Sequence, residues 1–558
     1  MNSPLSERPF DTHQVDNQPP AFAPRDLWSD DIALREALQR EGAGGFSGRV
    51  APYGALAGSS LYELGFDAHR DRPRLRSHDA HGHRTDRVEF HPNYHALMQA
   101  AIEHGVAGLS WREPGPGAHV ARAALSYLHH QVEPGTSCPL TMTHAAVPVL
   151  RREPALSEWA DKAAANHYDP RELPIADKRG ITLGMGMTEK QGGSDVRTNT
   201  TTATPTGADG EYELIGHKWF FSAPMSDGFL VLAQAPGGLT CLLMPRRLPD
   251  GGKNAFRLVR LKDKLGDWSN ASCEVELCGA WARRVGEGGR GIATILEMVM
   301  LTRLDCMLGA AAQMRMALAH AIHHCRYRRT FGKRLLEHPL MANVLADLAI
   351  EAEAALALSM RVARAVDAAP NDPTEAAFAR IGTALGKYWL CRRAPAFVNE
   401  AQECLGGNGY VEESILPRLY RQAPLNSIWE GSGNIQCLDV LRALEKEPVT
   451  GAALWAELQR AGHGGQAEHA AAVERLRAPL HGDTVIEPAA ARSFVERLAL
   501  CLQGSVLLHA GSPVAEAFCR SRLGGTHGLA MGTLPVDLAF GKVIHRALPP
   551  ATQHGAPT

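Results

Sequence analysis

With 558 residues, a formal net charge of −2 and hydrophobic residues at 45%, the chain can fill three or four domains of roughly 150 residues each, or one multilayer enzyme. Cores of that size need neither disulfides nor structural metals, and the apolar share excludes disordered, collagen-like and low-complexity classes. The balance of 58 Lys and Arg against 60 Asp and Glu gives no global electrostatic attraction to nucleic acid. The 11 cysteines are scattered, odd in number and free of C-x-x-C pairs, so neither a disulfide framework nor a zinc site is expected and a reducing cytoplasm fits best. A polar, proline-rich start without an apolar core argues against a signal peptide, and no apolar run reaches the roughly 18 residues of a membrane span.

Residues 1–179 are read as a helical domain. Apolar residues recur at helical spacing, as in Ala96, Leu97, Ala100, Ala101 and in Ala121, Ala124, Leu125, Leu128. A turn or small hairpin around Asp79–Gly82 interrupts them, and Gly42–Gly45 and Pro134-Gly135 mark links. Residues 180–290 change to β character. The order is a strand near Thr200, a turn at Asp209-Gly210, a strand over 212–221, a hairpin around Pro236-Gly237-Gly238, and strands over 256–261 and 271–277. Residues 291–445 return to long helices over 292–327, 339–368 and 375–405, with a stop at Gly406-Gly407, and read as a bundle. Residues 446–558 form a helical extension with a Gly/His-rich loop at 461–466. The expected class is mainly α with a central β domain.

Five motifs carry chemistry. The run Met185-Gly186-Met187-Thr188-Glu189-Lys190-Gln191-Gly192-Gly193-Ser194-Asp195 reads as a strand end opening into a Gly-rich loop. Its amides and hydroxyls can hold a polar ring edge and a diphosphate; an ordinary turn is the plain alternative. The others are Gly216-His217-Lys218-Trp219-Phe220-Phe221-Ser222, Arg328-Arg329-Thr330-Phe331-Gly332, Cys404-Leu405-Gly406-Gly407-Asn408-Gly409-Tyr410 and Ser427-Ile428-Trp429-Glu430-Gly431-Ser432-Gly433-Asn434-Ile435. In this order, on a helix–β–helix plan, they resemble the acyl-CoA dehydrogenase family of flavoproteins over about residues 25–445. Leu261-Lys262-Asp263-Lys264-Leu265-Gly266 and the C-terminal extension bring the likeness closer to the family's adaptive-response (DNA alkylation resistance) group.

That resemblance implies a helical domain, a β-barrel domain and a four-helix-bundle domain plus the extension. It also implies FAD, a homotetramer, weak α,β-dehydrogenation of acyl-CoA thioesters, and sequence-independent contact with double-stranded DNA. Carried over residue by residue, Met187 and Thr188 face the flavin edge and Ser194 meets the diphosphate. Phe220, Phe221 and Ser222 stack on the flavin or approach its N5. Arg328 and Thr330 reach the FAD of a neighbouring subunit, while Gly406, Gly407 and Gly409 allow close backbone approach. Trp429, Gly431, Ser432, Gly433 and Asn434 flank the cofactor, and Arg303 lies near the base. This sequence departs from the family pattern at Lys190, Pro339, Trp429 and Ser222, and the bulky Trp429 implies a narrowed acyl pocket.

Glu430 is the expected catalytic base, because removing a thioester α-proton while hydride leaves the β-carbon needs a carboxylate opposite the acceptor. Its plain alternative is an acidic residue opening a helix. Gly286–Gly291 matches G-x-G-x-x-G but leads from β structure into a bundle helix, so a loop is expected. His78, His81 and His83 lie in a polar turn, so no metal site is expected. Acids and bases balance in the extension, leaving Arg520 and Arg522 as the local basic spot for DNA, with acid-paired surface arginines as the alternative. Two other readings stand beside the dehydrogenase: a DNA-binding protective flavoprotein with little thioester turnover, and a cofactor-free scaffold.

Overall fold

The computed structural model describes residues 12–461, 466–482 and 484–550. The middle of the Gly/His-rich loop, 462–465, lies outside them.

Helices from Ile32–Arg40 to Ser157–Ala164 precede the sheet. The Asp31 carboxylate opens the first by accepting from the Leu34 amide at 3.0 Å. The polar turn at Asp79–Gly82 joins the antiparallel strands Arg74–His78 and Arg84–Glu89. Leu183–Gly186, read only as a strand end, pairs in parallel with Gly228–Ala235. From there a circuit runs through Thr202–Pro205, Glu211–Ser222, Ser272–Val285 and Gly238–Pro245, which pairs back with Gly228–Ala235; Phe256–Leu261 adds to Ser272–Val285. This seven-stranded sheet closes around Phe221, Phe229, Val231, Leu242 and Phe256, all buried.

The 37-residue helix Gly291–Tyr327 follows, then Pro339–Ala368 and Pro373–Glu403. Both later helices begin with proline at the first turn, where a missing N–H costs nothing. The Asp372 carboxylate caps the second, accepting from Thr374 and Glu375 amides at 2.8 and 3.2 Å. Met307, Met314 and Met316, with Leu308, Leu348, Leu358, Phe378 and Leu385, are buried in one core with the N-terminal helices. The structure thus has the acyl-CoA dehydrogenase-like plan anticipated above: helices, a closed β unit, a bundle and C-terminal helices.

The extension lies against Pro339–Ala368 through charged and polar ties. Arg361 pairs with Glu457 at 2.8 Å, Arg546 with Glu353 at 2.8 Å, and Asn343 exchanges two hydrogen bonds of 3.0 Å with the Leu534 backbone.

Candidate active site

The Gly-rich loop is anchored by an ion pair that the motif reading did not single out. Lys218 Nζ donates to Glu189 at 2.8 Å with both side chains fully buried. Glu189 also accepts from the Thr200 amide at 2.7 Å and the Thr201 hydroxyl at 2.6 Å. Burial alone raises a carboxyl, but Lys218 and the threonine donors hold Glu189 well below the usual carboxylate range. The Trp219 amide donates to the Thr188 carbonyl at 2.9 Å, and Asn199 donates to the Met187 carbonyl at 2.8 Å. Met187 and Thr188 are therefore fixed half-buried at the loop's root, with Ser194 exposed at its far side. A Cβ at Gly193 would meet the Thr188 hydroxyl at 2.4 Å.

The strand motif divides its aromatic pair. A register shift between Lys218 and Phe221 turns Phe220 outward, 56% exposed, with the Lys262 ammonium 4.7 Å from its ring centre. Ser222, half-buried, sits 3.2 Å from the Ser272 hydroxyl. Phe221 is corrected: it is fully buried in the β core, 4.4 Å from Phe229, and cannot flank a cofactor.

Glu430 lies outside the helix it was weighed as opening. That helix runs Gly433–Lys446, while Glu430 has φ +58° and Gly431 φ +93°, both left-handed. A Cβ on Gly431 would fall 2.6 Å from Gln436 Nε2. The Glu430 carboxylate accepts from the buried Thr302 hydroxyl at 2.6 Å. Its carbonyl accepts from Arg303 Nε and Gln436 Nε2, each at 3.0 Å. Lys387 Nζ donates to the Trp429 carbonyl at 2.7 Å and to the Gly431 carbonyl. Burial pushes the Glu430 carboxyl above its ordinary value, against the Thr302 hydrogen bond and the charges of Lys387 and Arg303. Arg303, carried over as a catalytic candidate near the base, meets the backbone of Glu430 rather than its carboxylate, and its guanidinium pairs with Asp439 at 2.8 Å. The Trp429 indole donates to Asn426 at 2.9 Å. No side chain caps the Gly433 helix; Ser432 and Asn434 are exposed there. Met187 and Trp429 both pack against one buried cluster that holds Cys138, Met142, Ala223 and Leu301, which brings the two motifs to one core.

Other predicted residues stand far from Glu430 in the same chain. Thr302 is near one end of Gly291–Tyr327 and Arg328 follows the other, roughly 38 Å along the axis at about 1.5 Å per residue. Arg328 donates to the Asn17 carbonyl at 2.8 Å. Thr330 belongs to the hairpin Arg329–Thr330 and Lys333–Arg334, whose tip residue Phe331 is 96% exposed. Gly406, Gly407 and Gly409 follow Cys404, whose carbonyl accepts from the Cys325 thiol at 3.8 Å, so they share that second pole. A Cβ at Gly406 or Gly407 would meet nothing within 4 Å, whereas at Gly409 it would strike the Gln402 carbonyl at 2.2 Å.

Arg520 and Arg522 are not free cations. Arg520 pairs with Asp537 at 2.8 Å, and Arg522, with 5% of its side chain exposed, pairs with buried Asp347 and Glu351. Their assignment to DNA is corrected: acids neutralise both. Gly286–Gly291 is a loop whose Gly289 packs against the Gly237 carbonyl. His78, His81 and His83 are exposed, and no metal-holding cluster occurs among the described residues. No helix among them is long and apolar enough to cross a membrane.

Reasoning from motifs missed Thr302, Lys387 and the Glu189–Lys218 pair. Lys387 left one signal, a lysine inside an apolar helical stretch (Leu385, Tyr388, Leu390).

The family descriptions that match are the N-terminal domain of the adaptive response protein AidB over residues 17–170, the acyl-CoA dehydrogenase middle domain over 184–279 and the acyl-CoA dehydrogenase C-terminal domain over 289–445. The chain is 47% identical over 532 residues, 94% of its length and 96% of the other's, to the protein named AidB of Escherichia coli (strain K12). It is 31% identical over 427 residues to acyl-CoA dehydrogenase family member 11 of Caenorhabditis elegans, covering 74% of this chain and 69% of that protein. Among solved structures, Caenorhabditis elegans ACDH-11 in complex with C11-CoA superposes with a TM-score of 0.81 at 26% identity, covering 97% of this chain and 94% of that one. The chain belongs to the AidB group of the acyl-CoA dehydrogenase family, a family of oxidoreductases.

Proposed function

We propose that this chain is an FAD-dependent dehydrogenase of acyl-CoA thioesters in which Glu430 removes the α-proton. The observation that carries the reading is the Glu430 carboxyl: fixed by the Thr302 hydroxyl at 2.6 Å, raised by burial, and next in the chain to Trp429, which packs with Met187 of the Gly-rich run against one buried cluster.

The residues present fit FAD. Phe220 leaves an aromatic face uncovered beside the Ser222 hydroxyl, and the Gly433 helix presents amides that no side chain caps. Met187, Thr188, Ser194, Phe220 and Ser222 would hold it from the β unit, with Trp429, Gly431, Ser432, Gly433 and Asn434 flanking it. When bound, FAD supplies the two-electron acceptor for the hydride leaving the β-carbon. Glu430 supplies the rest: its carboxylate takes the α-proton, and Thr302 orients it. Trp429 narrows the space beside the base, which supports modest turnover of straight-chain substrates. The C11-CoA held by the superposed neighbour supports a medium-chain thioester as the first substrate to try.

Arg328, Thr330, Gly406, Gly407 and Gly409 lie too far from Glu430 to serve the same flavin within one chain. Together with the uncovered Phe331, this supports a homo-oligomer, the tetramer expected above, in which each copy completes its neighbour's site. The AidB kinship supports a place in the response to DNA alkylation damage and in the cytoplasm. Contact with duplex DNA rests on that kinship alone, since Arg520 and Arg522 are neutralised.

Anaerobic absorbance spectra of the FAD-loaded protein with acyl-CoAs of graded chain length test the proposal. Bleaching of the flavin band by at least one acyl-CoA is expected; a protein that takes up no FAD contradicts it.

A further inference from the structure

The peptide units around Glu430 are held by an unusual anchor. Lys387 is 1% exposed on Pro373–Glu403, and its ammonium bonds the carbonyls on either side of Glu430, those of Trp429 and Gly431. No carboxylate pairs with it among the ion pairs of the described residues. An ammonium so placed does two things. It fixes two carbonyls of a left-handed segment, a backbone region that a non-glycine residue such as Glu430 rarely adopts. It also keeps an uncompensated positive charge beside the Glu430 carboxylate, which favours the ionised form.

We propose that Lys387 is a positioning residue for the base: it locks the left-handed turn at Glu430 and sets its ammonium beside the carboxylate. This rests on the reading of Glu430 as the base. The division of labour with Arg303 follows from the pairing. Arg303 also reaches this turn, at the Glu430 carbonyl, but it is paired with Asp439, a carboxylate that Arg380 shares, whereas Lys387 has no carboxylate partner among the ion pairs of the described residues. Tyr388, Arg392 and Arg492 line a cavity with Lys387, and Arg492 donates to Asn434 at 2.7 Å rather than to the carbonyls around Glu430; the nearby thiols of Cys138, Cys306 and Cys391 are kept protonated by burial.

The test uses the full-length FAD-loaded protein and the acyl-CoA that bleaches it fastest. Lys387→Met removes charge and donors; Lys387→Gln removes charge but keeps an N–H donor and is the gentler change should the Met variant not fold. In either, flavin content stays at the wild-type level and the acid limb of the rate–pH profile rises by about one unit, so that bleaching at a pH on that limb, below the wild-type inflection, slows about tenfold, since one unit is there a tenfold change in the ionised fraction. An infrared carboxyl band, identified by its loss in Glu430→Gln, titrates higher by the same amount. A limb and band that stay in place in Lys387→Gln overturn the proposal, whatever happens to the rate, because a purely structural lysine would slow the reaction without moving either. Failure of the underlying reading is distinct: Glu430→Gln would then bleach like the wild type.

Discussion

Glu430 sits in a left-handed turn whose three successive carbonyls, from Trp429 to Gly431, accept from Lys387, Arg303 and Gln436. Gly431 is the position where this arrangement demands glycine: both its φ of +93° and the 2.6 Å approach of Gln436 exclude a Cβ. Gly431→Ala is expected to lower stability by about 1–3 kcal/mol, read from urea unfolding, and to slow flavin bleaching with little change in the thioester concentration giving half-maximal rate. The raised carboxyl of Glu430 carries its own sign. A carboxyl with a folded pKa above its unfolded value penalises the fold once pH exceeds the unfolded value. The stability of Glu430→Gln relative to wild type should therefore rise as pH increases from 4 toward neutrality. A pH-independent difference would place the carboxylate in water.

At the scale of elements, the extension is fastened to Pro339–Ala368 by charges that would be costly to bury alone. Asp347 and Glu351 are buried and held below their ordinary values despite desolvation, Asp347 by His527 and Arg522 and Glu351 by Arg393 and Arg522. Arg522→Met should cost about 3–5 kcal/mol, because it leaves buried carboxylates short of a partner; a shift in urea midpoint measures it. Since both folded pKa values are depressed, their contribution is complete above the ordinary carboxylate range and lost as pH falls through the lowered values. Wild-type stability should therefore drop at acid pH more steeply than that of Arg522→Met. Arg522 looked like part of a basic patch because its partners Asp347 and Glu351 lie far away in sequence, where local charge counting cannot see them, whereas the acids of Arg520, Glu516 and Asp537, lie in the extension itself. The Phe220–Phe221 pair failed for a related reason: strand alternation is legible, but the register shift between Lys218 and Phe221 is set by pairing with Ser272–Val285. The long helices and the β hairpins were legible because their periodicity is local, and the turn at Pro236-Gly237-Gly238 joins the strands read around it.

For the whole molecule, the predicted cofactor residues fall at two poles of the bundle, joined by the length of Gly291–Tyr327. One chain holds them apart; the homo-oligomer proposed above would set one pole beside the other pole of a second copy. Under that proposal Phe331, 96% exposed at the tip of the Arg329–Arg334 hairpin, is the side chain expected to meet the second copy. Phe331→Asp should shift the protein to smaller species in gel filtration and lower its FAD content in parallel. Small species that keep full flavin would show that one chain suffices. The order of motifs pointed to this site, but only the fold separates its two ends, because distance along a helix is not visible in a motif.

The central claim is that Glu430 takes the α-proton, and single-turnover bleaching of the flavin by acyl-CoA, wild type against Glu430→Gln at equal FAD content, tests it most directly. A fall of at least about 10²-fold, the lower end of what a positioned general base contributes, is the expected result. Equal rates in the two proteins would contradict it.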